Sequence, residues 1–104
     1  MKITCRCIAE VKERAGTGLI EVWLEDSRNA VPVLEGLQAV ERSLRQEHHL
    51  IFTNTADGSQ RRLVKNLLVF IRGENGGLRR VFDLHEFFDP RKEELVLSSL
   101  MSGG

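Results

Sequence analysis

Glu94-Leu95-Val96-Leu97-Ser98-Ser99-Leu100-Met101-Ser102-Gly103-Gly104 closes the sequence, and its reading decides the fold. Leu95, Val96 and Leu97 make a short apolar run of strand length, so a last strand is expected over Glu94 to Leu100. That strand runs straight into the glycines, so residues 101–104 are expected to project beyond the sheet as a flexible tail. Two glycines fall together at a chain end in about one chain in two hundred at an average usage of ~7%, which makes the pair informative.

Working back from that strand, Phe87 to Lys92 reads as a turn and Leu78 to Leu84 as a short edge strand. Gly73-Glu74-Asn75-Gly76-Gly77 is a turn with several positions open to positive φ. Leu63 to Arg72 is a dense apolar stretch, expected as an interior strand covered in part on both faces. Residues 51–63, with Phe52, the Asp57-Gly58 signal and Arg61-Arg62, suggest a short hairpin or surface excursion. Before it, Val31, Leu34, Leu37, Val40 and Leu44 recur every three or four residues, which predicts an amphipathic helix over about residues 31–47. Asp26-Ser27-Arg28-Asn29 supplies capping residues, and Pro32 falls near the helix start, where its missing N–H is harmless. Gly36 inside the helix costs roughly 1 kcal/mol against alanine.

The amino-terminal half is read by alternation. Ile20, Val22 and Leu24 point inward and Glu21, Trp23 and Glu25 outward in one strand. Ile3, Cys5, Cys7 and Ala9 oppose Lys2, Thr4 and Arg6 in the other, and only Ile8 breaks the pattern. The polar segment Glu10 to Gly18 between them is expected as a turn or loop, making the two strands a hairpin. The order is strand, strand, helix, strand, short strand, last strand. One helix must then cover one face of a mixed sheet, which is an α+β architecture in a single domain, 1–104.

Composition narrows the function. Fifteen basic and fifteen acidic side chains balance, so no basic face calls for nucleic acid or a membrane surface. The apolar runs are only a few residues long, and a cytoplasmic protein is expected. Cys5 and Cys7, two apart on a strand, point to the same face and are expected as reduced core residues rather than a strained disulfide. His48, His49 and His85 lack metal-site spacing, and no metal is expected. Ser98, Ser99 and Ser102 have no His/Asp arrangement to activate them. Arg61-Arg62 and Arg79-Arg80 read most simply as solubility charges, with a salt-sensitive contact to an acidic partner as the alternative.

The chain resembles the MoaD/ThiS family of ubiquitin-like sulfur carriers. The resemblance rests on Ile3 to Gly16 with its charged Val11-Lys12-Glu13-Arg14-Ala15-Gly16 segment, and on Leu68 to Gly76 with its asparagine/glycine turn. Asp89 to Glu94 before the last strand and the Gly103-Gly104 end complete it. It covers nearly the whole chain except about 51–63, which is extra. The resemblance implies a β-grasp fold, with the α-carboxylate of Gly104 as reacting group and Gly103 as permissive spacer. A ubiquitin-activating-type adenylating enzyme would use ATP and Mg²⁺, with no cofactor bound to the chain itself. The product, a thiocarboxylate, would pass sulfur to an acceptor inside a partner synthase subunit, in molybdopterin, thiamine or cysteine biosynthesis. The chain would thus be a substrate of enzymes and not an enzyme. Met101 and Ser102 in the tail, with Trp23, Ile8 and Phe70 as outward hydrophobics, are the candidate partner-binding residues. A modifier joined through Gly104 to lysines, or a non-covalent interaction module, are the alternatives.

Overall fold

The computed structural model describes residues 1–25, 28–44, 51–54, 61–64 and 66–99. Its main sheet contains β1 (Lys2–Cys7), β2 (Leu19–Trp23), β6 (Leu67–Arg72), β7 (Leu78–Arg80) and β9 (Glu94–Ser99), in the order β2-β1-β9-β6-β7. β1 and β9 run parallel, and every other neighbouring pair is antiparallel. Two helices, α1 (Ala9–Ala15) and α2 (Val33–Ser43), and two short pairings complete the described fold. These pairings join β3 (Val31–Pro32) to β8 (Phe87–Phe88), and β4 (Phe52–Asn54) to β5 (Arg61–Leu63). A mixed sheet with the longest helix packed across one face is the β-grasp arrangement that the sequence led us to expect. The last strand lies at its centre.

Alternation sets which face is which. Ile3, Cys5 and Cys7 of β1, Val69 and Ile71 of β6, and Leu95 and Leu97 of β9 are all buried on one side. Val33, Leu37 and Val40 of α2 are fully buried in the same cluster. Each such aliphatic side chain contributes ~1.5–3 kcal/mol when fully removed from water. Cys5 and Cys7 are buried, free thiols within this core. Among the described residues no helix is long and apolar enough to cross a membrane.

Several local expectations are corrected. Glu10 to Gly18 is not all loop, because Ala9–Ala15 forms α1 with Val11 in the core. Gly16 ends that helix in the left-handed region, at φ 77°, and its N–H donates to the Lys12 carbonyl. The predicted helix over 31–47 begins later, at Val33, because Val31 and Pro32 pair with Phe88 and Phe87. The described helix ends at Ser43, and residues 45–47 lie outside the described residues.

Among the described residues no side chain caps the start of α2. The Val33 and Leu34 N–H groups instead donate to the carbonyls of Glu86 and Leu84, at 2.8 and 2.9 Å. Phe87-Phe88 is therefore strand and not turn, and the turn proper begins at Asp89. The stretch Leu63 to Arg72 is not one strand either. It breaks where the Leu67 N–H donates to the Val64 carbonyl and Asn66 takes φ 68°. The 51–63 segment pairs as the expected hairpin, but it also feeds Ile51 and Phe52 into the core. Its Asp57-Gly58 signal lies outside the described residues.

Candidate functional site

The site is built around the carboxyl end of β9. Because β9 lies between β1 and β6, its last residues have neighbours on both sides. Ser98 and Ser99 stand opposite Leu68 and Leu67 of β6. On the other side the Ile8 N–H donates to the Leu97 carbonyl at 3.0 Å, just after Cys7 pairs with Leu97. α1 starts at the next residue and packs against β9. The strand end is thus clamped by β6 on one side and the β1–α1 junction on the other.

The face of the sheet away from α2 carries an apolar band at this end. Val96 is only 4% exposed yet lies outside the core cluster. It sits on the outer face, in register between Arg6 of β1 and Phe70 of β6, and Leu19 of β2 follows opposite Arg6. One row further toward the strand end come Ile8 and Leu68, flanking Ser98. Ile8 and Leu19 are 44% and 42% exposed, whereas Leu68 and Phe70 are half-buried. Between Ile8 and Leu19 lies an open hollow of about 560 Å³, bordered also by Arg6, Lys12 and Thr17.

Arg6 is held across this band by Glu94, with Nε 2.5 Å from Oε2. Its pKa is raised by that hydrogen bond and by the carboxylate charge, so it stays cationic throughout. On the core side, the Cys7–Cys5 thiol hydrogen bond and burial push the Cys5 thiol well above its ordinary value. The same bond lowers the pKa of Cys7. Of the pair, Cys7 therefore loses its proton first as pH rises, and Cys5 keeps its own. Neither thiol is open to solvent, so they stabilise the core beneath the site and are not part of it.

The candidate residues divide by position. Ile8 and Phe70 are brought together around the end of β9. Trp23 is 73% exposed on the same face, but it stands opposite Lys2 at the far end of β2. Five residues of β1 separate that level from Cys7, or about 16 Å of strand. Met101, Ser102, Gly103 and Gly104 lie outside the described residues, as do His48 and His49. The Ser99 hydroxyl is buried with no partner among the described residues, which leaves it without an activating base. Leu19, Leu68 and Val96 were missed as site residues. Leu19 was legible from the outward parity of Glu21 and Trp23, and Val96 from its place between inward Leu95 and Leu97.

No protein-family model matches the sequence, and no curated protein matches it. Two solved structures do. The crystal structure of SAMP1 from Haloferax volcanii superposes with a TM-score of 0.70 at 21% identity, covering 100% of both chains. A crystal structure of H. volcanii small archaeal modifier protein 1 gives a TM-score of 0.63 at 20% identity, covering 94% of this chain and 95% of that one. This likeness establishes the β-grasp, ubiquitin-like fold.

Proposed function

We propose that this chain is a sulfur carrier whose working group is the carboxylate of Gly104. The observation that carries the proposal is topological: the central strand of a β-grasp sheet leads, five residues after Ser99, to Gly104. Five residues reach at most about 18 Å, which bounds how far from the end of β9 the Gly104 carboxylate can act.

A free carboxylate is a poor acyl donor because its oxygen leaves badly. In the proposed cycle a ubiquitin-activating-type enzyme transfers AMP from Mg²⁺-ATP to Gly104, releasing pyrophosphate. A sulfur nucleophile then attacks the acyl carbon and expels AMP. With hydrosulfide as the nucleophile this leaves the thiocarboxylate at Gly104 directly. With a persulfide donor it leaves an acyl disulfide, which a second donor thiol cleaves by forming a disulfide with the donor sulfur and releasing the thiocarboxylate. Glycine suits both steps, since it threads a narrow channel and leaves the carbonyl open on either side. The chain contributes the reacting carboxylate and the surface by which it is gripped, and the partner contributes the catalysis. The grip falls on Ile8, Leu19, Leu68 and Phe70, where an apolar partner surface offsets the cost of ordering Met101 and Ser102. The thiocarboxylate then delivers sulfur inside a synthase subunit, for molybdopterin, thiamine or cysteine synthesis.

The test is intact-mass analysis of the chain after incubation with an adenylating enzyme, ATP and a sulfur donor. The expected product has one terminal oxygen replaced by sulfur, and deletion of Gly104 abolishes it. A second reading is favoured by the name of the matched structures, which are modifier proteins. In that reading the same acyl-adenylate ends as an amide to a lysine. A ladder of Gly104-dependent protein adducts in cells separates this fate from sulfur delivery. If function survives loss of Gly104, the chain is an interaction module and neither carrier reading holds.

A further inference from the structure

The two edges of the main sheet carry the same pattern with opposite charge. Hydrogen-bonded residue pairs alternate along an antiparallel ladder, so every second residue of an edge strand turns its N–H and C=O outward. On β7 the Val81 N–H donates to Val69, and the Gly73 N–H to Gly77, which turns Leu78 and Arg80 outward. On β2 the Leu24 N–H donates to Met1, and the Cys7 N–H to Gly18, which turns Leu19, Glu21 and Trp23 outward. The β7 edge therefore reads Leu78, Arg80, then Phe82, with exposures of 58% and 81% for the two hydrophobics. The β2 edge reads Leu19, Glu21, Trp23, at 42% and 73% for its hydrophobics.

The charges are available to be matched. Arg79 is paired with Glu86, whereas the Arg80 guanidinium lies over the ring of Phe82, 4.7 Å from its centroid, with no carboxylate against it among the described residues. Glu21 meets Lys2 at 2.8 Å, with both side chains more than 40% exposed. Such a pair is worth little in water and exchanges readily. Thr17 occupies the outward groups of Leu19, at 3.1 and 3.3 Å, so the open ladder on β2 runs from Glu21 to Trp23. Two β7 edges brought together would oppose arginines, and two β2 edges would oppose glutamates. A β7 edge against a β2 edge satisfies both.

We propose that these edges form an interface between copies of the chain, in which β7 of one molecule adds to β2 of the next. With the sheets continuous, β7 and the incoming β2 run antiparallel. Arg80 then faces Glu21, Leu78 faces Trp23, and Phe82 reaches toward Leu19. The contact is head-to-tail and does not close, so it builds open chains. It covers only one strand per side, so association is weak and appears only at high concentration. The outer face around Ile8 and Phe70 stays open. The inference is independent of the fate of Gly104.

The test is sedimentation velocity of the full chain from dilute to millimolar concentration at low salt, with Arg80→Glu, Glu21→Arg and their equimolar mixture. The wild-type weight-average mass should rise past the dimer without a plateau. Each variant alone should stay monomeric. Mixing them should restore association, because the carboxylate introduced on one variant's β7 edge then faces the guanidinium introduced on the other's β2 edge. Concentration-dependent amide shifts in the wild type should fall on residues 78–82 and 19–23, a readout that needs no variant. A wild-type chain that stays monomeric throughout overturns the proposal. So does association that survives unchanged in Arg80→Glu.

Discussion

Gly36 of α2 lies against the ring of Phe88, so close that a Cβ at this position would stand 3.1 Å from ring atoms Cε1 and Cζ. The same Cβ would be 3.2 Å from Leu95 Cδ1. Phe88 and Leu95 are 2% and 0% exposed, so neither can swing aside. What looks like a propensity cost in the helix is therefore a packing requirement that lets α2 sit down on the sheet. Gly36→Ala should gain ~1 kcal/mol of helix propensity and lose ~1–3 kcal/mol to overpacking. The expected net effect is a destabilisation of about 1 kcal/mol, read from urea midpoints. Adding Phe88→Leu should rescue part of it, whereas a variant more stable than wild type would contradict the packing.

Gly16 is a different case. A Cβ there meets nothing within 4 Å, but φ is 77°. Gly16→Ala should cost roughly 1 kcal/mol through backbone strain alone, and Gly16→Asn less. Thermal melts of the two variants check this. Equal losses would place the cost in packing after all.

The outer band makes a prediction about recognition. Ile8→Asp and Phe70→Ser should each raise the activating enzyme's KM for the carrier about tenfold, for ~1.4 kcal/mol of lost contact, with little change in kcat. Trp23→Ser, at the other end of the face, should leave both constants unchanged. Steady-state pyrophosphate release measures all three. A Trp23 effect as large as that of Phe70 would move the contact surface.

The thiol pair predicts a pH dependence. Cys5 keeps its proton in the fold above the ordinary thiol value of 9.0, while the unfolded chain loses it. Above that value the folded state therefore binds more protons, and stability falls as pH rises. Cys7, whose pKa is lowered, acts oppositely just below the same value, where the unfolded chain keeps the extra proton and stability climbs. Cys5→Ala should flatten the alkaline decline in urea stability between about pH 9 and 10, below the ordinary lysine value of ~10.4. An unchanged slope would show that the fold does not hold the Cys5 proton.

β1 and β2 were legible because each alternates over its full length between a buried and an open face. Ile3, Cys5 and Cys7, or Ile20, Val22 and Leu24, cannot be shifted by one residue without exposing the set. The α1 helix was not, because seven residues with only Val11 fully buried carry too little periodicity against Glu10, Lys12, Glu13 and Arg14. Its one usable signal was Gly16 following helix-forming residues. β3 and β8 were hidden for another reason. Phe87-Phe88 pairs with Val31-Pro32 more than fifty residues away, and two-residue pairings leave no local alternation. At the site, sequence parity placed Trp23 outward, and Ile8 and Phe70 were expected beside it as outward hydrophobics. Which of them share the end of β9 depends on strand order, which no local pattern encodes.

The central claim concerns Gly104, and intact-mass spectrometry tests it most directly. After incubation with the activating enzyme, Mg²⁺-ATP and a sulfur donor, the full chain should gain the difference between sulfur and oxygen. The chain lacking Gly104 should not. An unchanged mass under conditions in which pyrophosphate is released would contradict sulfur loading and leave adenylation for conjugation as the surviving use of the tail.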